Sequence, residues 1–356
     1  MRIGIPNEIK IREGRVALIP PAASELVKQG HEVFVQSGAG QASGYPDLDY
    51  RQAGAQIVPD AAALYGAQLI VKVKEPQPSE YGLLRQDHIL FSYLHLAANP
   101  ELTRVLVERG LTAVAFETVE RSGRLPLLAP MSDIAGRLAV QIGATLLHAH
   151  HGGRGILLGG LPSGERGQVA ILGAGVAGGN AAAAAAALGA QVTVLAPHRE
   201  GHERMFALGP NVTALPSYPA LIAQAVYQAD LVIGAVLIPG ARTPKLVSAE
   251  MVARMKPGSV IIDISVDQGG CVETTRPTDY DNPTYVVDGV IHFAVTNMPG
   301  AVPRTASQAL STVLTPYVVR LAAPQGLADP ALAAGINVTQ GRIVHPAVAQ
   351  AFQASY

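Results

Sequence analysis

The sequence carries a single cysteine, Cys271, which can form no internal disulfide, so a reducing compartment is expected. Nothing near it has the character of an activating base, which argues against a nucleophilic thiol. Excess charge is missing as well, the formal net charge being -1. Nucleic acid and acidic membrane surfaces are bound through basic patches, so neither is an expected partner. Charged residues make up only 15% of the chain against 49% hydrophobic, which argues against disorder and leaves ample material for buried cores. Long apolar runs are absent too. The most apolar stretch, Ala181 to Gly189, falls far short of the roughly 20 residues that a membrane helix needs. Its alanines suit a helix packed close to a neighbour. The start, Met1-Arg2-Ile3-Gly4-Ile5-Pro6, has no apolar stretch behind its basic residue, so no signal peptide is expected. The expected location is cytoplasmic.

What is present is alternation. Short β-rich runs exchange with helix-like runs nearly throughout, as in α/β folds with parallel sheets. The first third offers strands at Ile3–Ile5, Glu32–Gln36, Leu69–Val73, Ile89–Tyr93 and Thr112–Ala115. Helices are expected at Pro21–Gln29 and Pro100–Arg109, with Gly30 and Gly110 as stops. Gly and Pro interrupt the pattern at 121–130. An amphipathic stretch then runs from Met131 to His150, with Ser132 or Asp133 available to cap it. A Gly-rich linker, 151–167, leads to a second alternating series with strands at Val169–Leu172, Gln191–Leu195, Asp230–Gly234, Ser259–Ile264, Tyr285–Val287 and Ile291–Val295. A last helix, from about Arg304 to Val319, is expected to return to the first domain. The length of 356 residues and this order imply two α/β domains with a cleft between them.

The sharpest local motif is Gly173-Ala174-Gly175-Val176-Ala177-Gly178, set between a strand ending at Leu172 and an Ala-rich helix. In a dinucleotide fingerprint the first glycine, Gly173, permits the turn and the second, Gly175, admits the pyrophosphate. The third, Gly178, lets helix and strand pack closely, while the helix N-terminus favours the phosphate charge. A carboxylate for the ribose is expected about 20 residues on. The chain has Ala196 there, then Pro197, His198 and Arg199. Losing the carboxylate removes repulsion against a 2'-phosphate, and Arg199, His198 or Arg204 could pair with one. NAD is the expected cofactor, with NADP tolerated.

Functional groups in a parallel sheet collect at the carboxyl edge. Arg15, Lys74 and His95 follow strands of the first domain; Asp267 and Asn297 follow strands of the second. Oxidation of an amino acid needs a cation on the carboxylate, which a guanidinium grips bidentately. It also needs an acid/base, and an ordinary imidazole titrates near about 6.5. Arg15 and His95 suit these tasks. Lys74 could share the carboxylate or polarise a carbonyl, and Asp267 could orient water or tune His95. Lys72 lies two residues before Lys74 and is expected to face the same side, so spacing does not choose between the lysines. The histidines 148, 150 and 151 lack a carboxylate or cysteine cluster to complete a metal site, and none is expected.

Several motifs in order resemble the alanine dehydrogenase family, which includes the transhydrogenase α-subunit. They are Met1–Pro6, Lys72-Val73-Lys74-Glu75-Pro76, Leu94-His95-Leu96-Ala97-Ala98, Leu127–Ser132, Asp230–Val236, Asp267-Gln268-Gly269-Gly270-Cys271 and Asn297-Met298-Pro299-Gly300. The resemblance implies reversible NAD-linked deamination of L-alanine to pyruvate and ammonia by two Rossmann-like doubly wound domains. The substrate domain would be discontinuous, 1–126 with 304–356, and the dinucleotide domain 127–303. Arg15 and Lys74 would bind substrate, with His95 and Asp267 catalytic and Tyr93, Glu117, Met131 and Asn297 lining the pocket. Ser132, the Gly173 loop, Ala196, Arg199, Ser217, Asn297 and Met298 would contact cofactor. A homohexamer is implied. Ala196 departs from the family's aspartate, and the tail after about Ala322 matches weakly. The rival readings are a soluble transhydrogenase-like protein, a larger-substrate saccharopine-type dehydrogenase and a non-catalytic dinucleotide sensor.

Overall fold

The computed structural model describes residues 1–237 and 243–353, so the last three positions of the expected 304–356 segment lie outside it. The chain forms two compact units, Met1–Met131 with Gly300–Tyr356, and Ser132–Pro299. In chain order the strands of the first are β1 (Arg2–Ile5), β2 (Glu32–Gln36), β3 (Gln56–Val58), β4 (Leu69–Val71), β5 (Ile89–Ser92) and β6 (Thr112–Ala115). The second unit holds β7 (Gln168–Leu172), β8 (Gln191–Ala196), β9 (Val212–Pro216), β10 (Leu231–Gly234), β11 (Val260–Asp263), β12 (Thr284–Val287) and β13 (Val290–Phe293). The chain then returns to the first unit with β14 (Ile336–Thr339) and β15 (Arg342–Ile343).

Both sheets are doubly wound. The first runs β15-β14-β6-β5-β4-β1-β2-β3 and the second β12-β13-β11-β10-β7-β8-β9. β1 through β6 are parallel, and β14 and β15 add to the edge antiparallel. In the second sheet only β12 is antiparallel. Each sheet therefore reverses its winding once, between β1 and β4 and between β7 and β10. Ligands of such sheets bind outside the carboxyl ends of the strands at that reversal.

Helices on both faces make the central strands continuous apolar runs rather than alternating ones. Leu69–Val71, Leu231–Gly234 and Val260–Asp263 are buried throughout. Local signals set the helix ends. Pro100 opens the helix to Arg109, the Asn99 side chain accepts from Leu102 N–H, and Gly110 closes it at φ 71°. The helix Ala129–Leu146 begins two residues before the expected Met131, so neither Ser132 nor Asp133 caps it. Asp133 instead accepts from Asn180 Nδ2 at 2.7 Å. The Ala-rich helix Val176–Ala187 packs so closely that a Cβ on Gly136 would stand 2.1 Å from the Ala177 carbonyl oxygen.

Candidate active site

In the first unit six of the expected residues follow β1, β4, β5 and β6 or open the helix at Ala129. Arg15 stands on the long loop after β1 and is only 2% exposed. Such a buried cation needs a partner. Glu13 supplies it through a fork, Nε to Oε1 at 2.7 Å and Nη2 to Oε2 at 2.6 Å. Burial pushes the Glu13 carboxyl up, and the Arg15 hydrogen bonds and charge outweigh it, holding the carboxyl below its ordinary range. The third guanidinium nitrogen, Nη1, donates to Met131 Sδ at 3.1 Å.

The two lysines part company. β4 ends at Val71, before either of them, so strand alternation no longer governs their directions. Lys72 is 1% exposed and donates to both oxygens of Glu80, at 3.0 and 2.8 Å, with Glu8 3.8 Å away. Lys74 is half-buried, and among the described residues its ammonium has no hydrogen bond or ion pair. Burial, then the nearby charges of Arg15 and Lys10, lower its pKa. Lys72 is thus a structural cation, and Lys74 is left uncommitted among the described residues.

His95 is exposed and sits in the left-handed region at φ 48°, where non-glycine residues are uncommon. Glu117 holds the turn. Its carboxylate accepts the His95 N–H at 2.6 Å and the Leu94 N–H at 3.2 Å. The imidazole lies nearly parallel to the Tyr93 ring, with centroids 6.0 Å apart. Tyr93 in turn donates to the Leu127 carbonyl at 2.6 Å, and burial raises its phenol further from ionisation. Tyr93 and Glu117 therefore spend their polar atoms on the protein.

The second unit carries the glycine loop after β7. Gly173 has φ 104°, and a Cβ there would meet the Ala235 carbonyl oxygen at 2.5 Å. A Cβ on Gly178 would lie 1.9 Å from the Gly173 carbonyl oxygen. Gly175 is different: a Cβ there would meet nothing within 4 Å among the described residues. The chain itself has no use for glycine at 175, whereas a pyrophosphate approaching the N-terminus of the helix from Val176 does. The residues present fit a dinucleotide.

Ala196 ends β8 and is 3% exposed. Its carbonyl accepts from Ser217 N–H at 3.1 Å, which brings Ser217 beside it. Arg199 projects into solvent and pairs with Glu203 at 2.7 Å; Arg204 donates to the Ala174 carbonyl. Asp267 is exposed on a one-turn helix, Ile264–Gln268, after β11. Asn297 follows β13 at φ 59°, beside buried Met298. Ser132 lies half-buried in the first turn of its helix. Cys271 is fully buried, and burial and Asp263 push its thiol up, so it is inert. Among the described residues no group of three or more His, Cys, Asp or Glu could hold a metal ion.

Sequence reasoning overlooked Glu13, Glu8 and Glu80. The signal for Glu13 was available, an acid two residues before an arginine in an apolar context, since an arginine buried there requires a counter-charge.

Two doubly wound sheets, one with this glycine loop at its reversal, define a dinucleotide-binding α/β protein. Residues 4–135 match the model of the alanine dehydrogenase/PNT N-terminal domain, and 139–346 that of the C-terminal domain. The alanine dehydrogenase of Bacillus subtilis is 50% identical over 356 residues, which are 98% of this chain and 94% of that protein. That of Halomonas elongata is 49% identical, over 100% of this chain and 98% of its own. Among solved structures, an L-alanine dehydrogenase superposes with a TM-score of 0.97 at 53% identity, covering 100% of both chains. A transhydrogenase from Sinorhizobium meliloti gives 0.87 at 28% identity, covering 97% of this chain and 100% of its own. The chain belongs to the alanine dehydrogenase/PNT family, whose members work with a nicotinamide dinucleotide. No helix among the described residues is long and apolar enough to cross a membrane.

Proposed function

We propose that the chain catalyses reversible oxidative deamination of L-alanine to pyruvate and ammonia, the first unit holding the amino acid and the second the dinucleotide. The observation that carries this reading is the pairing of Arg15, fixed by Glu13, with an uncommitted Lys74 at the reversal of the first sheet. One carboxylate and one carbonyl are what two such cations would meet in pyruvate. A nicotinamide dinucleotide held by the Gly173 loop would supply the hydride acceptor for the alanine Cα. Arg15 and Lys74 orient the substrate, and His95 takes the proton from the attacking water and returns it in reverse. Met131 lines the substrate side in the first unit, and Asp267 and Asn297 are the polar groups that the second unit would bring to the reaction. Ser132, Ser217, Met298 and the Gly173 loop hold the dinucleotide. By the same reading the enzyme is a cytoplasmic homohexamer.

The cofactor choice turns on Ala196. Without a carboxylate at the end of β8 the usual repulsion of a 2'-phosphate there is lost, so NADP serves alongside NAD. Initial rates with L-alanine test both points at once. Turnover is expected with either cofactor, at kcat/KM values within about tenfold of each other, the size of about one hydrogen bond's worth of discrimination. Preference for NAD by about a thousandfold would overturn the NADP assignment. No turnover with either, despite dinucleotide binding, would overturn the enzyme reading in favour of a transhydrogenase-like protein or a sensor.

Gly175→Ala separates fold from ligand. Its backbone has a negative φ, -71°, and a Cβ there meets nothing within 4 Å among the described residues, so stability is expected to stay within about 0.5 kcal/mol. Dinucleotide affinity, read by fluorescence titration, is expected to fall at least about tenfold because the side chain stands where the pyrophosphate must come. Unchanged affinity would remove the loop from the cofactor site.

A further inference from the structure

β1 and β4 pair only through Ile3 with Leu69 and Gly4 with Ile70. Beyond that point the two chains separate, and Pro6 has no N–H to continue the ladder. The continuation of β4 still bonds on its other side, where Lys72 N–H donates to the Phe91 carbonyl at 3.2 Å and Tyr93 N–H to the Val73 carbonyl at 3.1 Å. The backbone is irregular here, and the Val73 N–H turns away from β5, to a side where no strand remains to receive it. Glu8 fills the gap. Its Oε1 accepts from Val73 N–H at 2.5 Å and its Oε2 from Lys74 N–H at 3.3 Å.

We propose that Glu8 is a positioning residue for the substrate: its carboxylate replaces the missing strand at the β1/β4 reversal and fixes the backbone from which Lys74 reaches the ligand. This rests on the reading that Lys74 meets the substrate.

Neutralising Lys72 does not call for this residue. Glu8 is buried, its side chain 2% exposed, and Lys72 already has a closer partner in Glu80. Tyr65 OH at 2.9 Å and Gln77 N–H at 2.7 Å also donate to Glu80, so that pair is complete without Glu8. Burial pushes the Glu8 carboxyl up to about 7; Lys72 and the Val73 hydrogen bond oppose the rise, and Glu13 and Glu80 add to it. From about pH 4.5 to 7 the folded chain therefore holds more protons at Glu8 than the unfolded chain, and stability falls as pH rises through that window.

Glu8→Gln isolates the effect. The amide oxygen can still accept from Val73, but the amide NH2 faces the Lys74 N–H and cannot. In the full chain, assayed with pyruvate, ammonium and reduced dinucleotide, KM for pyruvate is expected to rise about tenfold, the effect of one lost charged hydrogen bond. The dinucleotide Kd, read by fluorescence, is expected to stay within about twofold. Amide hydrogen exchange at Lys74 is expected to quicken while Leu69–Val71 stays protected, and the thermal midpoint at pH 8 should not fall. Tyr65→Phe, which disturbs Glu80 and not Lys74, should leave KM for pyruvate unchanged. Should Glu8→Gln not fold, Glu8→Asp keeps the charge, shortens the reach and is read the same way. An unchanged KM in a folded variant of an active enzyme overturns the proposal. A wild-type chain that binds dinucleotide and turns over neither alanine nor pyruvate removes the functional reading and the proposal with it.

Discussion

Replacing His95 by alanine is expected to lower kcat by about 100- to 10,000-fold, the range for loss of a positioned general base, with dinucleotide affinity unchanged. The imidazole is exposed while the backbone beneath it is over-determined. Glu117 holds its N–H at 2.6 Å, Leu96 behind it is buried, and the ring is stacked on Tyr93. A left-handed, non-glycine conformation costs of order 1–3 kcal/mol and survives only where neighbours impose it. Here they impose a direction on the imidazole. His95→Asn separates ring from backbone, since asparagine tolerates this conformation well. Both variants should lose kcat alike. If His95→Asn turned over near the wild-type rate, the turn and not the imidazole would be what matters. Glu117→Gln keeps an acceptor oxygen for the N–H and should be milder than either.

The doubly wound pattern could be read from the sequence because both sheets obey a simple rule. Buried parallel strands such as Leu69–Val71 and Leu231–Gly234 are apolar throughout, and Gly, Pro and Asn punctuate the helices between them. The Gly173 loop was legible through its glycine spacing, two of whose members, Gly173 and Gly178, stand where a Cβ would clash. The edge strands β3 and β9 were not expected, and two further features were not legible. The tail after Ala322 forms β14 and β15 on the edge of the first sheet. Its last helix, Pro346–Gln353, buries Val348 in the cluster that holds Leu94, Leu96, Leu102 and Leu106. Strands of two and four residues with mixed polarity carry too little periodicity to show this. The second was the division of labour between Lys72 and Lys74. Spacing placed both near one edge, but only the distant carboxylate of Glu80, brought by an irregular turn, decides which one is neutralised.

Arg15 carries the other large effect, because it serves the fold and the ligand together. Arg15→Ala leaves Glu13 as a buried carboxylate without its cation, and such broken pairs cost about 3–5 kcal/mol. The first unit is therefore expected to unfold at markedly lower denaturant, and any rise in KM for pyruvate measured on this variant confounds two causes. The double change Glu13→Gln with Arg15→Met removes both charges and keeps most of the volume, so much of the lost stability should return. KM for pyruvate should not return with it. We expect it to stay raised about 10- to 100-fold, the worth of a charged hydrogen bond to the substrate carboxylate. Recovery of stability and KM together would mean that Arg15 only neutralises Glu13 and that Lys74 grips the carboxylate alone. Recovery of stability without KM assigns the Arg15 guanidinium, whose Nη1 lies 3.1 Å from Met131 Sδ, to the substrate.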